Sequence, residues 1–487
     1  MLVTLAFRHL GVRRARSLFL LLGFSIGVGV MVVLLSVGQA MLEQSRDVSL
    51  VGGGEVTVLP QGIDVEALRT GGLSGMFFAI DRARFLTRQV LGGPRHAPII
   101  RTVAPVIEGK LLYVCKMAVA CQPRAVRASG DIPSRAATLG AGLDVRQGAW
   151  HDTPADSEYV APTRQQLYDE LDRFHVPPRP DSSWGEWQYY NITVSPREWW
   201  YVTYLIGGAV PSGRWGGRLL VTHRRPDGRY ERYTAEASPT HARFDTAGAD
   251  LTIGGSTVRQ RDGTYRLRAR ATGPRGTVRL DLEVQPAPNR YFPSVELRDA
   301  GFISGYVVPA LVGTAQGSVC VGARCSRLAA VAAYHDHNWG VWRDVTWEWG
   351  AARGTSLSLI YGGVYGPERG DNSGAVVTSP FFMALADSLG LRQVLRFDRV
   401  AYEGAQQAEG ATGSPAPERF AIVADRGPDT VRLWVNVSQA LATEMSASAF
   451  RRLFLQMRGR FVLNGRAAGA LASDTGSGFF ETYRTRH

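Results

Sequence analysis

The sequence predicts a mainly β protein with one N-terminal transmembrane helix, a small α/β domain and then two successive antiparallel β-barrels or sandwiches. Three observations predict this order. Ser17 to Leu42 carry no charge, a Pro-rich segment lies at 177–183, and apolar and charged residues alternate with period 2 in much of the remaining chain. The 487 residues allow about three domains.

The uncharged run from Ser17 to Leu42 reaches the ~20 residues that cross ~30 Å of hydrocarbon. Four arginines precede it: Arg8, Arg13, Arg14 and Arg16. The positive-inside rule therefore predicts a single-pass protein of the cell membrane, with residues 1–42 as cytoplasmic stub and span and with a periplasmic body. A signal peptide cleaved after Gly38-Gln39-Ala40 is the alternative.

Composition excludes several classes of function. Apolar residues make up 45% and charged residues 20%, which is typical of neither a disordered chain nor a polytopic membrane protein. The net charge of +12 comes mostly from scattered arginines, so we do not expect a nucleic acid as partner. The sequence has no Walker loop, no G-x-S-x-G elbow and no H-E-x-x-H motif, and we expect no cofactor.

The four cysteines form two local pairs, Cys115 with Cys121 and Cys320 with Cys325. In an exported body, two short-loop disulfides are the simplest interpretation, and free or buried thiols are the alternative. Neither pair has C-x-x-C spacing, so a zinc site at the cysteines is not expected.

The first part of the chain has a Gly break at 52–54, a Gly130-Asp131-Ile132-Pro133 segment and a later Gly148. With the apolar run before them, these features make residues 1–176 resemble the FtsX/MacB-like ABC-transporter permeases. The resemblance implies a periplasmic α/β domain at 43–176 and a role as accessory subunit of such a transporter. Those permeases carry three further membrane helices that this sequence lacks, so a complete permease is not expected. An anchor with a spacer is the alternative.

Strand patterns dominate after the linker at 177–183. Tyr265, Leu267 and Ala269 alternate with arginines, and a second alternating run follows the 273–276 turn. Turn sequences at 226–228 and 262–263 indicate further hairpins. Some 300 residues of this kind fit two barrels or sandwiches better than one.

Ten of the eleven tryptophans lie in this body, beside four short motifs. The motifs are E-W-W-Y at 198–201, Y-H-D-H-N-W-G at 334–340, W-E-W-G at 347–350 and G-S-G-F-F-E at 476–481. In this order they resemble the AttH-like/CrtC family, which includes carotenoid 1,2-hydratase (hydroxyneurosporene synthase).

The resemblance implies two lipocalin-like β-domains, at 184–340 and 341–487, with an apolar pocket near their junction. It also implies a hydrophobic isoprenoid or lipid as ligand. The expected ligand-binding residues are aromatic: Trp199, Trp200, Tyr201, Trp339, Trp347 and Trp349. The expected structural residues are Glu198, Asn338 and Gly340. Core packing is the alternative for any single tryptophan.

If residues 334–339 are extended, Tyr334 and Asp336 point to one side of the strand and His335 and His337 to the other. A carboxyl group that faces an aromatic cavity has a raised pKa, so Asp336 is the expected general acid for protonating an isoprenoid C=C. The catalytic candidates are Asp336, Tyr334 and His337. Mutual hydrogen bonding among Asp336, His337 and Asn338 in a buried barrel contact is the alternative.

This chain differs from the hydratases on one strand that precedes the Y-H-D-H-N-W-G motif. The hydratases use a His and a Trp on an earlier strand, where this chain has Gly305-Tyr306-Val307-Val308-Pro309.

A metal site is not predicted, because His335 and His337 share a face but spacing offers no third ligand. Three functions remain: binding of a hydrophobic ligand, a hydratase-like lyase reaction, and a transporter accessory role.

Overall fold

The computed structural model describes most of the chain in fifteen ranges: residues 14–46, 87–88, 93–100, 102–104, 107–114, 124–130, 132–135, 151–160, 163–177, 179–299, 302–342, 346–365, 381–410, 415–447 and 450–485. The chain divides into two compact units. One comprises residues 1–92 and 96–160, and the other comprises residues 93–95 and 161–487.

The first unit contains helix α1 (Arg14–Arg46), an antiparallel pair of strands, β1 (Ile107–Val114) and β2 (Arg124–Gly130), and the short helix α2 (Pro154–Val160). Within α1, Leu22–Ala40 is long and apolar enough to cross a membrane and is not buried by protein. Length and composition fit a membrane anchor and a signal sequence equally well. The predicted N-terminal apolar helix is thus confirmed.

The second unit opens with helix α3 (Arg164–Leu171). A 12-stranded sheet follows. Its strands are β3 (Trp184–Ser195), β4 (Glu198–Ala209), β5 (Arg214–Arg224), β6 (Tyr230–Ala237), β7 (Ala242–Phe244), β8 (Leu251–Ile253), β9 (Ser256–Arg261), β10 (Thr264–Gly273), β11 (Gly276–Pro286), β12 (Phe292–Asp299), β13 (Phe302–Val321) and β14 (Arg324–Trp342), with short 3-10 helices at Val210–Ser212 and Pro239–His241.

Eight of these strands close into the first barrel. The ring runs β13, β14, β3, β4, β5, β6, β10 and β11, and β11 returns to β13. The predicted alternation is visible in β10, where Tyr265 and Leu267 are buried and the intervening arginines are exposed. The turns predicted at 226–228, 262–263 and 273–276 connect neighbouring antiparallel strands. Period-2 patterning therefore predicted this barrel correctly.

The rest of the chain forms a 10-stranded sheet and a separate two-stranded pair. The strands are β15 (Thr346–Gly354), β16 (Ser358–Tyr365), β17 (Phe381–Asp387), β18 (Gly390–Phe397), β19 (Ala401–Glu403), β20 (Gln406–Gln407), β21 (Glu409–Gly410), β22 (Pro415–Ala416), β23 (Arg419–Arg426), β24 (Asp429–Ala447), β25 (Phe450–Ala467) and β26 (Ala470–Thr485). The ring of β15, β16, β17, β18, β23, β24, β25 and β26 closes as a second eight-stranded barrel. The mainly β fold class with two successive barrels is confirmed.

The continuous part of the compact unit that holds both barrels starts at residue 161, ahead of the linker expected at 177–183. Phe174 lies in the core of the first barrel together with Tyr190, Leu267 and Val284. The segment that follows α3 therefore packs as part of the first barrel, although its sequence gives no strand pattern.

The disulfide expected within 320–325 is present. Cys320 of β13 and Cys325 of β14 are bonded at the tip of the long hairpin, where they face each other across the two strands. Cys115 and Cys121, the other expected pair, lie outside the described residues.

We expect Gly340→Ala to lower the free energy of unfolding by about 1–3 kcal/mol. Gly340 has a φ of 155°, and a Cβ there would lie 2.0 Å from the carbonyl oxygen of Ile303. Chemical denaturation followed by tryptophan fluorescence measures the change. Gly255→Ala is the matched control, because a Cβ at Gly255 meets nothing within 4 Å. Equal stability of the two variants would contradict the expectation.

Candidate active site

Strand β14 separates two different environments. Tyr334 belongs to an aromatic cluster shared by the two barrels, whereas His335 stacks on Tyr190 in the interior of the first barrel at a centroid distance of 4.1 Å. The alternation expected from an extended strand thus places Tyr334 and Asp336 towards the second barrel and the two histidines towards the interior of the first.

Asp336 is buried at the junction of the barrels, with 2% of its surface exposed. The hydroxyl of Tyr334 donates to Oδ2 at 2.8 Å, and the amide of Asn338 donates to Oδ1 at 2.7 Å. Trp349 of the second barrel donates from Nε1 to the Tyr334 hydroxyl at 3.2 Å. Burial raises the pKa of Asp336 well above its ordinary value, although the bond from Tyr334 acts in the opposite direction.

Aromatic rings from both barrels surround this carboxyl group. Tyr334 meets Phe479 edge-on at 4.7 Å, and Tyr306 meets Trp349 edge-on at 5.1 Å. The cluster draws its rings from both barrels, and its aromatic members are Tyr189, Trp199, Tyr201, Phe292, Tyr306, Tyr334, Trp349, Phe382 and Phe479. The junction is therefore apolar around a few polar groups, as a site for a hydrophobic ligand requires.

A second carboxyl group, that of Glu481 on β26, reaches the same junction. It accepts hydrogen bonds from Gln456 at 3.1 Å and from the Tyr189 hydroxyl at 3.3 Å. Burial raises the pKa of Glu481 to about 7, against the opposing effect of these two donors. The charge of Glu481 also raises the pKa of Asp336. Two carboxyl groups with raised pKa values thus share one apolar junction.

On the opposite face of β14, a network of carboxylates and imidazoles, the interior network, lies inside the first barrel. Asp172 contacts Nε2 of His335 at 3.0 Å and Nδ1 of His337 at 2.7 Å. Nε2 of His337 lies 2.8 Å from Oε1 of Glu186, and Nδ1 of His175 lies 3.3 Å from the same oxygen. Asp172, Glu186, His335 and His337 have no exposed side-chain surface.

Helix α3 positions Asp172 and His175 of the interior network. Thr163 and Gln166 form a capping box at its N-terminus, and the backbone N–H of Asp172 bonds to the carbonyl of Tyr168 at its C-terminus. The backbone N–H of His175 then donates to both oxygens of Glu186, at 2.8 and 2.9 Å. These bonds hold the segment from Asp172 to His175 against β3 and β14.

The pKa values of the groups in the interior network follow from these contacts. Burial lowers the pKa of His337, but its contacts with the carboxylates of Asp172 and Glu186 outweigh that effect and raise it to about 10. Burial raises the pKa of Asp172, yet His335 and His337 hold it well below its ordinary value. Burial lowers the pKa of His175, and Glu186 opposes this only in part. The sequence analysis named His337 as a catalytic candidate together with Asp336 and Tyr334. The structure places His337 on the face of β14 opposite Asp336, as the alternation predicts, where it contacts Asp172 and Glu186 and not the junction.

The structure divides the six expected ligand-binding residues. Trp199, Tyr201 and Trp349 belong to the junction cluster, and Trp347 packs against it while stacking on Tyr483 at 4.2 Å. Trp200 lies in the interior of the first barrel and stacks on His223 at 3.5 Å. It points away from the junction because it is one residue along β4 from Trp199.

Trp339 also lies apart from the junction cluster. Its ring stacks on His175 at 3.6 Å, and its Nε1 donates to Glu296 at 2.9 Å. It shares the side of β14 that carries His335 and His337, so its place beside Asp336 in the sequence does not make the two side chains neighbours. We therefore assign Trp339 to the surroundings of the interior network.

The three expected structural residues make distinct contacts. Glu198 lies 3.3 Å from Nε2 of His223, Asn338 donates to Asp336, and Gly340 allows the close approach of Ile303. Sequence reasoning did not assign roles to Glu481, Asp172, Glu186 or His175. The signal for Glu481 was its place in the closing motif at 476–481, whereas the other three carry no motif.

Two clefts open elsewhere, on the outer face of the first barrel. One, of about 490 Å³, is lined by Arg259, Arg261, Arg266 and Arg268 with Thr257, Thr264 and Glu283. The other, of about 650 Å³, lies beside the Cys320–Cys325 hairpin and includes Cys325 and Arg327. Neither cleft is lined by the junction residues.

Comparison with known proteins gives distant structural likeness. No family model matches the chain, and no curated protein matches it. The AttH candidate NE1406 from Nitrosomonas europaea covers 64% of this chain and 94% of its own, at 14% identity and a TM-score of 0.43. Kievitone hydratase from Nectria haematococca covers 64% and 93%, at 14% identity and a TM-score of 0.42. CghA with Sch210972 covers 64% and 96%, at 12% identity and a TM-score of 0.44.

We expect the Glu481 carboxyl group to make stability depend on pH between 4.5 and about 7. Because the folded-state pKa is raised, the folded chain keeps the proton to higher pH than the unfolded chain does. Its contribution is complete below pH 4.5 and is lost as pH rises to about 7.

The measurement compares wild type with Glu481→Gln by denaturant unfolding at several pH values. The difference in unfolding free energy between the two should change by about 1.4 kcal/mol per pH unit within the window. Subtraction removes the contributions of titrating groups that do not interact with Glu481. A difference that stays flat from pH 4.5 to 7 would show that Glu481 titrates normally.

We expect Asp172→Asn to cost about 3–5 kcal/mol of unfolding free energy, because it removes the carboxylate from two buried histidines. Asp227→Asn is the control. Asp227 lies in a turn with 43% of its side chain exposed, and it pairs only with Arg225 among the ion pairs of the described residues. Its loss should cost no more than about 1 kcal/mol. Similar losses of unfolding free energy in the two variants would argue against a buried charged network around Asp172.

Proposed function

We propose that this protein binds a hydrophobic, unsaturated ligand of the isoprenoid class at the barrel junction and adds water across one of its double bonds. The observation that carries the proposal is the position of Asp336. This carboxyl group lies buried among aromatic rings from both barrels, with the Tyr334 hydroxyl on one oxygen and the Asn338 amide on the other. The resemblance of the four sequence motifs to the carotenoid hydratases supports the ligand class.

In the proposed reaction, Asp336 donates its proton to one carbon of the double bond, and the neighbouring carbon becomes a tertiary carbocation. The π-faces of rings such as Trp349 and Tyr306 stabilise that cation. Water then forms the new C–O bond, and the proton that it loses passes to the Glu481 carboxylate. Transfer of that proton from Glu481 to Asp336 restores both carboxyl groups, so the net change is alkene plus water to alcohol.

Tyr334 and Tyr189 hold the two carboxyl groups in place. Tyr334 bridges Trp349 and Asp336, while Tyr189 donates to Glu481 at 3.3 Å. Tyr189 and Asp336 are paired residues of β3 and β14. The acid on the first barrel and the base on the second are therefore positioned through neighbouring side chains.

We expect Asp336→Asn to abolish turnover while leaving ligand binding intact, because it keeps the shape of the carboxyl group but cannot donate the acidic proton. The experiment incubates the full chain in detergent with acyclic carotenoid polyenes in ¹⁸O-labelled water. Mass spectrometry should detect a labelled tertiary alcohol with wild type, and the variant should lose about 10²–10⁴-fold in rate. Quenching of tryptophan fluorescence by the polyene measures binding.

Asp398→Asn is the control, because Asp398 is an exposed aspartate of the second barrel. It should leave both rate and binding unchanged. Binding without labelled product in wild type would reduce the function to ligand binding, which is the alternative. Absence of binding would overturn the proposal, and unchanged turnover in Asp336→Asn would remove Asp336 from the mechanism.

The membrane topology and the transporter link also remain proposals. The four arginines ahead of the apolar helix support a cytoplasmic N-terminus and a periplasmic body. Partnership with an ABC transporter has only the sequence resemblance of residues 1–176 to the FtsX/MacB-like permeases as support, and the comparisons add nothing to it.

A further inference from the structure

A histidine–glutamate cluster lies in the first barrel, on the face of β14 opposite Asp336. It contains His175 from the segment after α3, Glu186 from β3 and His337 from β14. One donor atom from each lies within 4.8 Å of the other two. Three separate chain segments thus bring two imidazoles and one carboxylate to the same point.

One donor atom of the cluster has no hydrogen bond. Nε2 of His337 is fully buried and makes no hydrogen bond in the described part of the chain, although Oε1 of Glu186 lies 2.8 Å away. Buried ring nitrogens are normally hydrogen-bonded, and here the close contact of Nε2 is a carboxylate that can itself be a metal ligand. This nitrogen points at the other two members of the cluster.

Asp172 fixes the orientation of that imidazole. Its Oδ1 lies 2.7 Å from Nδ1 of His337, which leaves Nε2 directed at Glu186. Histidines that bind metals commonly donate their other ring N–H to a carboxylate, which sets the tautomer and the ring plane. The arrangement of Asp172, His337 and the cluster has this form.

The distances also suit a metal centre. Bonds of 2.0–2.2 Å at tetrahedral angles hold neighbouring donor atoms about 3.3 Å apart. Oε1 of Glu186 lies 2.8 Å from Nε2 of His337 and 3.3 Å from Nδ1 of His175. Only small side-chain movements separate these positions from a coordination shell. The side chain of His175 is 21% exposed, which gives an ion a route from solvent.

We propose that His175, Glu186 and His337 bind a divalent transition-metal ion, with Zn²⁺ the best match, and that Asp172 orients His337 from outside the coordination shell. Two imidazoles and one carboxylate are a donor set that zinc enzymes use, with a fourth position left for water. The ion replaces the proton on Nε2 of His337. It also balances the two buried carboxylates, Asp172 and Glu186.

This site is independent of the proposed hydration at the junction, because its ligands point to the other side of β14. The sequence analysis predicted no metal site, because spacing offered no third ligand beside His335 and His337. The structure instead engages His335 with Asp172 and the Tyr189 carbonyl, and it supplies His175 and Glu186 as partners of His337.

The test measures metal uptake by the full chain in detergent. The protein is stripped with chelator, dialysed against Zn²⁺ and analysed by inductively coupled plasma mass spectrometry, and parallel samples with Co²⁺ are examined by visible absorption. We expect one Zn²⁺ per chain, cobalt bands of a tetrahedral site, and a rise in thermal midpoint with Zn²⁺. Wild type that retains no metal would overturn the proposal.

The variants separate a specific site from surface binding. His175→Ala and Glu186→Gln should lose the bound metal and the cobalt bands, and Asp172→Asn should weaken Zn²⁺ affinity about 10–100-fold. His241→Ala is the control, because His241 is exposed in a short 3-10 helix of the same barrel. Near-ultraviolet circular dichroism establishes that each variant is folded. A folded His175→Ala that holds zinc as tightly as wild type would refute the site.

Discussion

The burial of β14 on both faces from Ala333 onwards is the constraint on which the rest of the second compact unit depends. An exposed strand would leave its polar side chains to water, but here each polar group between Tyr334 and Asn338 must find a partner inside protein. Asp336 finds Tyr334 and Asn338 on one face, and His335 and His337 find Asp172 on the other. The polar groups of the junction and those of the interior network are therefore separated by one strand.

The two barrels are joined through polar contacts as well as through rings. Arg458 of β25 lies 4.8 Å from the ring of Trp199 and donates to the Tyr201 hydroxyl at 3.2 Å. Trp199 donates from Nε1 to Gln439 at 3.0 Å. Directional contacts of this kind fix the relative orientation of two surfaces more strictly than apolar packing does. The carboxyl groups of Asp336 and Glu481 depend on that orientation, since each comes from a different barrel.

Local pattern was sufficient to predict much of the fold. The alternation around Tyr265 identified β10, turn sequences identified the hairpins, and the uncharged run identified α1. The same period-2 rule gave the faces of Asp336 and His337. These predictions succeed because backbone geometry alone decides which side of a strand a residue occupies.

The rest of the site depends on contacts that no local pattern encodes. Asp172 meets His337 across 165 positions, and Tyr189 meets Glu481 across 292. The tryptophans show the same limit, since Trp199 and Trp200 are adjacent in sequence but lie in different clusters. Which face of a strand is apolar can be predicted from alternation, but which barrel covers that face requires the fold.

The position of Asp172 and His175 ahead of the first barrel strand has a practical consequence for protein production. A fragment cut at the apparent linker would begin near Trp184 and would carry every barrel strand, yet it would lack the acid that holds His335 and His337. Such a fragment would leave His337 with Glu186 as its acidic partner, and it would remove the carboxylate that contacts Nε2 of His335. The smallest recombinant body that keeps its interior charges matched therefore begins ahead of α3, near residue 161.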